Sequence, residues 1–294
     1  MRKRLSIRRS SAAKFSRFAG IVAIPVLVIG TLLHRGERID STTLFAILGL
    51  GFVLAFVAVA AAVTALTAVW RQGARGTGDA VLGLIFGLIA LAPAIGVAGA
   101  TLYYPRLTDI STDLERPPRL APSPRRSNPG GHLNPKLQRS AYPNIVPRRF
   151  PVGTAQLYGA VEQVIKERGW MIGPHLAPAI NDDPAAIRIE THTPILGFVD
   201  DMSVRILPDP IGARLDIRSA SRVGDHDLGA NARRIRDLLT GVDTVLTEAY
   251  GITEVQDADT APLELPPEDY ETPGEPEIPV PGDKPSAGND AVSG

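Results

Sequence analysis

Three evenly spaced arginines are the side chains in this sequence best suited to binding chemistry. Arg214, Arg218 and Arg222 lie four residues apart in a stretch that alternates apolar and polar residues. Successive side chains of a β-strand point to opposite faces, so the three guanidinium groups are expected on one face of one strand. Guanidinium groups bind carboxylate and phosphate through paired hydrogen bonds. The spacing therefore predicts an anion-binding or ligand-binding surface.

A predicted helix start soon after this strand adds further polar groups. Asp227 can cap the helix, and Asn231 and Arg234 follow within its first turns. Backbone N–H groups at a helix N-terminus also attract anions. The predicted ligand-binding set is therefore Arg214, Arg218, Arg222, Asn231 and Arg234.

The same arginines also have a purely structural interpretation. Glu190, Asp201 and Asp216 lie on neighbouring predicted strands, where they could pair with the arginines across the sheet. Ion pairs of this kind on a solvent-exposed face contribute little each to stability. The sequence leaves both interpretations open.

Histidines and aspartates supply a competing, catalytic hypothesis. Two histidines and several carboxylates could converge as a metal site or as the centre of an envelope hydrolase or lipid-processing enzyme: His192, His226, Asp200, Asp201, Asp225 and Asp227. The sequence has neither the i, i+4 histidine spacing of a metalloprotease helix nor a Gly-x-Ser-x-Gly nucleophile motif. Asp200 and Asp201 begin a predicted strand, so they should point to opposite faces. We predict no catalytic residue, no metal and no cofactor, and keep the hydrolase as the alternative function.

Charge is segregated along the chain and excludes several classes of protein. The 294 residues carry no net charge, yet residues 1–151 hold 20 Lys and Arg against 6 Asp and Glu. Residues 152–251 hold 10 against 14, and residues 252–294 hold 1 against 11. A basic first half beside apolar segments is typical of membrane topology and does not favour a nucleic-acid partner. Because the chain has no cysteine, disulfides, thiolate metal sites and thiol catalysis are excluded.

Three long apolar stretches predict a membrane anchor. They lie at about 18–33, 44–70 and 80–104. The last two exceed the roughly 20 helical residues that cross a bilayer. The first is short and lacks the small-residue site at which a secretory signal is cleaved, so it is predicted to be retained. Trp70 fits the aromatic belt at the membrane interface.

The basic residues around these spans predict their orientation. The first 17 residues and the 71–79 loop hold nine Lys and Arg, whereas the 34–43 loop holds only Arg35 and Arg38. The positive-inside rule then places the N-terminus in the cytoplasm, and three spans export the remainder. Richness in Ala, Arg and Pro is typical of bacteria with GC-rich genomes. We expect a multi-pass protein of the bacterial inner membrane with a periplasmic C-terminal domain.

A Pro-rich, basic segment at 105–151 separates the anchor from a predicted globular domain. Its ten prolines exclude a long helix or a central strand, and its nine basic residues could dock on anionic lipid or on the acidic tail. The segment is expected to be partly integrated in the domain. Beyond residue 251 the chain is acidic and nearly devoid of large apolar residues, which predicts a disordered tail at 252–294.

Residues 152–251 have the periodicity of an α+β domain. Helical periodicity at 154–168 is followed by a short strand at 170–172 and by strict alternation near 187–192, 203–206 and 214–218. A second amphipathic helix follows and ends at Gly251. Turn-forming residues between the strands predict antiparallel neighbours. The expected fold is an antiparallel sheet covered on one face by two helices.

Several short motifs in this part of the chain resemble a known bacterial family. They lie at 108–113, 116–118, 141–143, 197–201, 218–224, 227–231 and 234–236. Together they resemble the bacterial domain of unknown function 1499 family, in a membrane-anchored form, over about 105–248. The resemblance implies one folded unit that includes the 108–113 stretch. The family has no established activity, so the resemblance implies no catalytic residue.

The residues and the resemblance together favour a binding or interaction module over an enzyme. The expected partners are the membrane itself, through integral spans, and an anionic lipid, other anionic ligand or protein of the cell envelope.

Overall fold

The computed structural model describes residues 10–72, 75–120 and 133–251. Within these residues the helices and strands follow in the order α1 (Ser11–Arg35), α2 (Ser41–Gln72), α3 (Thr77–Tyr103), β1 (Asp109–Ser111), α4 (Pro135–Ala141), β2 (Arg148–Phe150), α5 (Thr154–Glu167), β3 (Met171–Leu176), β4 (Ala185–His192), β5 (Val199–Asp209), β6 (Gly212–Ser221) and α6 (Ala230–Tyr250). The predicted disordered tail and most of the basic N-terminal tail lie outside the described residues.

The chain divides into two compact units. One unit holds the residues up to Arg106 together with His192–Phe198. The other holds Leu107–Thr191 and the residues from Val199 onward. The second unit therefore begins inside the segment that the sequence marked as a Pro-rich linker.

The first unit consists mainly of α1, α2 and α3, which confirm the three predicted apolar spans. Each is long and apolar enough to cross a bilayer, with 25, 31 and 27 residues in the spanning stretches. The first helix is longer than its apolar run because it begins at Ser11, where the Ser10 hydroxyl accepts a hydrogen bond from Ala13 N at 3.3 Å. A 25-residue helix is about 37 Å long, which removes the shortfall expected from the apolar run alone.

Glycines allow the three helices to approach one another closely. A Cβ at Gly83 would collide with Ser16 of α1, and one at Gly87 would collide with Val59 of α2. At one end of the bundle Arg17 of α1 pairs with Asp79 of α3 at 2.9 Å. Small residues at helix contacts are the usual packing device of membrane bundles.

An antiparallel sheet forms the second unit, in the spatial order β1-β6-β5-β4-β3. The β5–β6 hairpin is the longest pairing, from Asp200 opposite Ser221 to Asp209 opposite Gly212. Two short strands share the other edge of β6, since β1 pairs with its residues 218–220 and β2 with its residues 213–215. The antiparallel sheet was predicted, whereas β1 and β2 were not.

Helices α5 and α6 cover one face of this sheet, as expected. The apolar residues of β5 and β6 alternate into the core, with Val204 and Ile217 both fully buried. They pack with the apolar stripes of the helices, which include Val161, Val164, Leu238 and Val242. A Cβ at Gly241 of α6 would collide with Val164, so the glycine permits the two helices to lie close together. The opposite side of the sheet, turned away from α5 and α6, is named the outer face below.

Candidate anion-binding face

The outer face of the sheet carries most of the domain's buried charge. Alternation along β6 turns Leu215 and Ile217 toward the helices, so the intervening residues point to the outer face. The same alternation applies to β4 and β5. Among the described residues, the charged side chains of this face include five arginines and five carboxylates: Arg188, Arg205, Arg214, Arg218, Arg222, Asp109, Asp113, Glu190, Asp201 and Asp216. Arg214, Arg218 and Arg222 therefore do share one face, as predicted.

Arg214 belongs to a four-residue ion-pair network. Its Nε donates to Asp216 Oδ1 at 2.9 Å, and its Nη2 donates to Asp113 Oδ2 at 2.7 Å. Arg205 completes the network, donating to Asp216 at 2.9 Å and to Asp113 at 3.1 Å. Burial raises the pKa of Asp216, an effect opposed by the charges of Arg214 and Arg205. The network joins β5 and β6 to the segment that follows β1.

That segment, residues 112–118 and here named the strap, lies across the outer face. Its backbone joins β6 where Thr112 N donates to Ile217 O at 2.8 Å. The carbonyl oxygens of Arg116 and Pro118 accept hydrogen bonds from Arg205 and Arg218 at 2.7 and 3.2 Å. The strap explains why these arginines are largely buried, whereas the structural interpretation from sequence placed them on a solvent-exposed face.

Arg218 forms a bidentate pair with a residue outside the predicted set of partners. Its Nε donates to Asp109 Oδ1 at 3.0 Å and its Nη2 to Asp109 Oδ2 at 2.7 Å. Asp109 lies in β1, directly beside β6, and its carboxylate is fully buried. This pair joins β1, the first strand of the domain, to β6.

Arg222 pairs with two carboxylates, both of which the structural interpretation named. Its Nε donates to Asp201 at 3.1 Å and its Nη2 to Asp201 Oδ1 at 2.6 Å. The same Nη2 also donates to Glu190 Oε1. The hydrogen bonds that Arg222 donates to Asp201 are the largest cause that raises the pKa of Arg222, followed among the raising causes by the hydrogen bond to Glu190. The Asp201 side chain is 2% exposed and that of Glu190 is 41% exposed, so the second pair is open to competition from solvent anions.

Asn231 and Arg234 lie on the opposite side of the sheet from the three arginines. Arg234 Nη2 donates to Asp200 Oδ2 at 2.5 Å, and its Nη1 donates to Asn231 Oδ1 at 3.0 Å. Asn231 also donates to Thr108 O at 3.1 Å. Burial raises the pKa of Asp200, and the neighbouring Arg234 charge lowers it. The five predicted ligand-binding residues thus form two clusters on two faces; whether either cluster binds a ligand stays a prediction.

Two adjacent aspartates of β5 pair with different clusters, because their side chains point to opposite faces of the sheet as predicted. Asp200 turns to Arg234 under α6, and Asp201 turns to Arg222 on the outer face. A single change of strand register would exchange their partners, because alternate residues of a strand face opposite sides.

Arg188 is an outer-face residue that the predicted set omitted. It lies in β4 between Ile187 and Ile189, both of which are buried in the core. Its Nε is buried and has no hydrogen-bond partner within the part of the chain that the structure describes. Alternation along β4 is enough to place Arg188 on the same face as Glu190. Only the contacts show that Arg205, Arg214, Arg218 and Arg222 pair with carboxylates, whereas the Arg188 Nε meets no acceptor among the described residues.

A family comparison covers the whole of this arrangement. Residues 109–242 match the family model described as a protein of unknown function, DUF1499. This segment is a DUF1499 domain. The match confirms the resemblance that the motifs indicated. No curated protein matches the chain.

The motifs that carried the resemblance coincide with the ion pairs of the DUF1499 domain. The 108–113 motif supplies Asp109 and Asp113, and the 218–224 motif supplies Arg218 and Arg222. The 227–231 motif supplies Asn231 beneath the sheet. Within this chain, the motifs therefore hold the strap, β1 and α6 against the sheet.

The two histidines of the catalytic hypothesis lie in ordinary structural positions. His192 is the exposed last residue of β4. His226 Nδ1 accepts a hydrogen bond from Leu228 N at 3.0 Å in the turn that leads into α6. Asp227 caps that helix by accepting from Gly229 N and Asn231 N at 2.8 and 3.0 Å, although Gly229 itself holds the N-cap position. Among the described residues, no group of three His, Asp or Glu is placed to hold a metal ion. The hydrolase alternative stays a prediction.

Proposed function

We propose that this chain is a multi-pass protein of the bacterial inner membrane whose DUF1499 domain is a periplasmic binding module for an anionic ligand or an acidic envelope partner. Three apolar helices support the membrane location. The distribution of basic residues supports a cytoplasmic N-terminus and an exported domain. The binding role rests on the outer face of the sheet.

The observation that carries the binding role is the unequal pairing of Arg222. Asp201 holds the guanidinium from a buried position, which keeps the arginine oriented. Glu190 accepts from the same Nη2 but is the most exposed carboxylate among the ion pairs of the outer face. A ligand oxyanion can therefore replace Glu190 without releasing Arg222 from Asp201. Exposed ion pairs are weak enough to exchange in this way.

Neutralising Glu190 tests this proposal as a gain of function. The full chain, purified in a zwitterionic detergent, is titrated calorimetrically with short-chain phosphatidylglycerol and with soluble cell-wall fragments. Glu190→Gln should bind the anionic ligand several-fold more tightly than the wild type, because the competing carboxylate is gone. Arg222→Lys should bind more weakly, because lysine lacks the planar fork.

Glu248→Gln is the matched control for net charge, since Glu248 is an exposed residue of α6. Equal affinities for Glu190→Gln and Glu248→Gln would refute the role of the outer face. The exported location has its own test: a reporter enzyme that is active only in the periplasm, fused after Gly251, should be active. Activity of a cytoplasm-only reporter at that position would overturn the orientation.

A further inference from the structure

The arginines of the outer face share a pattern that Arg188 breaks. Four of them direct their Nε–H to an aspartate carboxylate: Arg205 and Arg214 to Asp216, Arg218 to Asp109, and Arg222 to Asp201. The Nε–H of Arg188 is buried, but within the described residues it meets no acceptor. Arg188 therefore lacks the carboxylate that every other arginine of this face possesses.

A buried guanidinium donor needs an acceptor oxygen. Buried polar groups in folded proteins are hydrogen-bonded almost without exception, and an arginine has only donors to offer. The Nε and Nη2 donors form a planar edge that matches two oxygens of one carboxylate or phosphate. We propose that Arg188 is an oxyanion-binding residue whose Nε–Nη2 edge takes one carboxylate or phosphate group of a ligand. This rests on the proposed function, because it names the anchoring residue and the ligand class for the same face.

Glu190 is the charged neighbour that an anion at Arg188 would meet. It is the next residue of β4 on the same face and lies about 7 Å along the strand. Its carboxylate accepts from Arg222, which also donates to Asp201, so one guanidinium group faces two carboxylates. Glu190 is the exposed carboxylate of the two, so solvent screens its charge. The outer face of β4 is therefore open to solvent at Glu190, beside Arg188.

Anion-dependent stability of the full chain tests the proposal. The chain has two tryptophans, of which Trp170 packs against the core of the DUF1499 domain and Trp70 is highly exposed on α2. With Trp70→Phe as the background, Trp170 fluorescence reports thermal unfolding of the domain in a zwitterionic detergent. Inorganic phosphate then replaces chloride in the buffer in increasing amounts, at constant ionic strength. At ten times its Kd, a ligand that binds the folded state raises the ratio of folded to unfolded protein about elevenfold.

Wild-type midpoints should rise with phosphate, and the rise should be lost in Arg188→Gln. Arg168→Gln is the matched control, because Arg168 is an exposed arginine at the end of α5, and it should respond like the wild type. If Arg188→Gln fails to fold, Arg188→Lys decides: lysine keeps the charge but lacks the two-donor edge, so its response should need at least tenfold more phosphate. Equal responses of wild type and Arg188→Lys would overturn the proposal.

Two further arms separate the source of the oxyanion. In phosphatidylcholine nanodiscs, an Arg188-dependent response to phosphate or acetate assigns a free anion. In phosphatidylglycerol nanodiscs, a midpoint that is already raised and falls in Arg188→Lys assigns a lipid headgroup. If neither nanodisc experiment shows an Arg188-dependent change, the proposed site at Arg188 is refuted. If only the Glu190→Gln experiment shows no gain in affinity, the proposed replacement of Glu190 by a ligand at Arg222 is refuted and the Arg188 site is not.

Discussion

Arg218 and Asp109 form a two-bond ion pair between neighbouring strands, although they lie 109 residues apart in the chain. The two donor–acceptor distances are 3.0 and 2.7 Å, and the Asp109 side chain is fully buried. Because the pair joins the first strand of the domain to β6, it makes the region after the membrane helices part of the fold. Its energetic role can be tested directly.

Arg218→Met should destabilise the domain strongly. Removing the guanidinium leaves the Asp109 carboxylate buried without its cation, and breaking such a pair costs about 3–5 kcal/mol. The free energy of unfolding is measured by urea titration of the full chain, with Trp170 as the reporter. Arg168→Met, at an exposed position, should cost within about 0.5 kcal/mol. A comparable small loss for both variants would show that the buried pair is dispensable.

Asn231→Ala should destabilise the domain more than a typical helix-cap substitution. Asn231 is completely buried and its amide bonds to Thr108 O, Ser221 Oγ and Ser219 Oγ. Each buried group left unsatisfied costs about 1–3 kcal/mol. The control is Asn134→Ala, which removes the exposed cap of α4 and should cost about 1 kcal/mol. Equal losses in urea unfolding would contradict a closed network around Asn231.

Asp227→Asn should change the pH dependence of stability. Burial raises the pKa of Asp227 above its ordinary value of 3.8, against the opposing backbone hydrogen bonds from Gly229 and Asn231. A raised folded-state pKa means that the folded chain binds the proton more tightly than the unfolded chain does. This contribution is fully present below pH 3.8 and is lost as the pH rises through the folded-state pKa.

The wild type should therefore gain stability relative to Asp227→Asn as the pH falls from about 7 to about 4. Midpoints of thermal unfolding for both proteins across that range provide the measurement. Other titrating groups, including Asp200 and Asp216, are common to both proteins and cancel in the difference. Parallel curves would show that the pKa of Asp227 is not raised.

Gly87→Leu should destabilise the membrane bundle, whereas Gly96→Leu should not. A side chain at Gly87 would meet Val59 and the Ala55 carbonyl of α2, while nothing lies within 4 Å of a Cβ at Gly96. Overpacking of this kind typically costs about 1–3 kcal/mol. The temperature at which helical circular dichroism is lost in detergent should fall for Gly87→Leu alone. An equal fall for both variants would indicate a general effect of leucine.

The sequence predicted the helices and strands that have a regular, local pattern of apolar residues. The apolar runs predicted α1, α2 and α3, and alternation predicted the cores of β4, β5 and β6. These features depend on residues a few positions apart, so periodicity reveals them. Strands β1 and β2 were missed because each has only three residues, too few to display an alternating pattern. Each forms only by pairing with β6, which is distant in the chain.

The arginines show the same division between local and non-local information. The sequence by itself determined that Arg214, Arg218 and Arg222 share one face and that Asp200 and Asp201 face opposite ways, because side-chain direction follows from strand alternation alone. Only the tertiary structure decided which carboxylate each arginine meets, that Asn231 and Arg234 lie on the other face, and that Arg188 meets none within the described residues. Those outcomes depend on strand order and on the path of the strap, which bring together groups about a hundred residues apart.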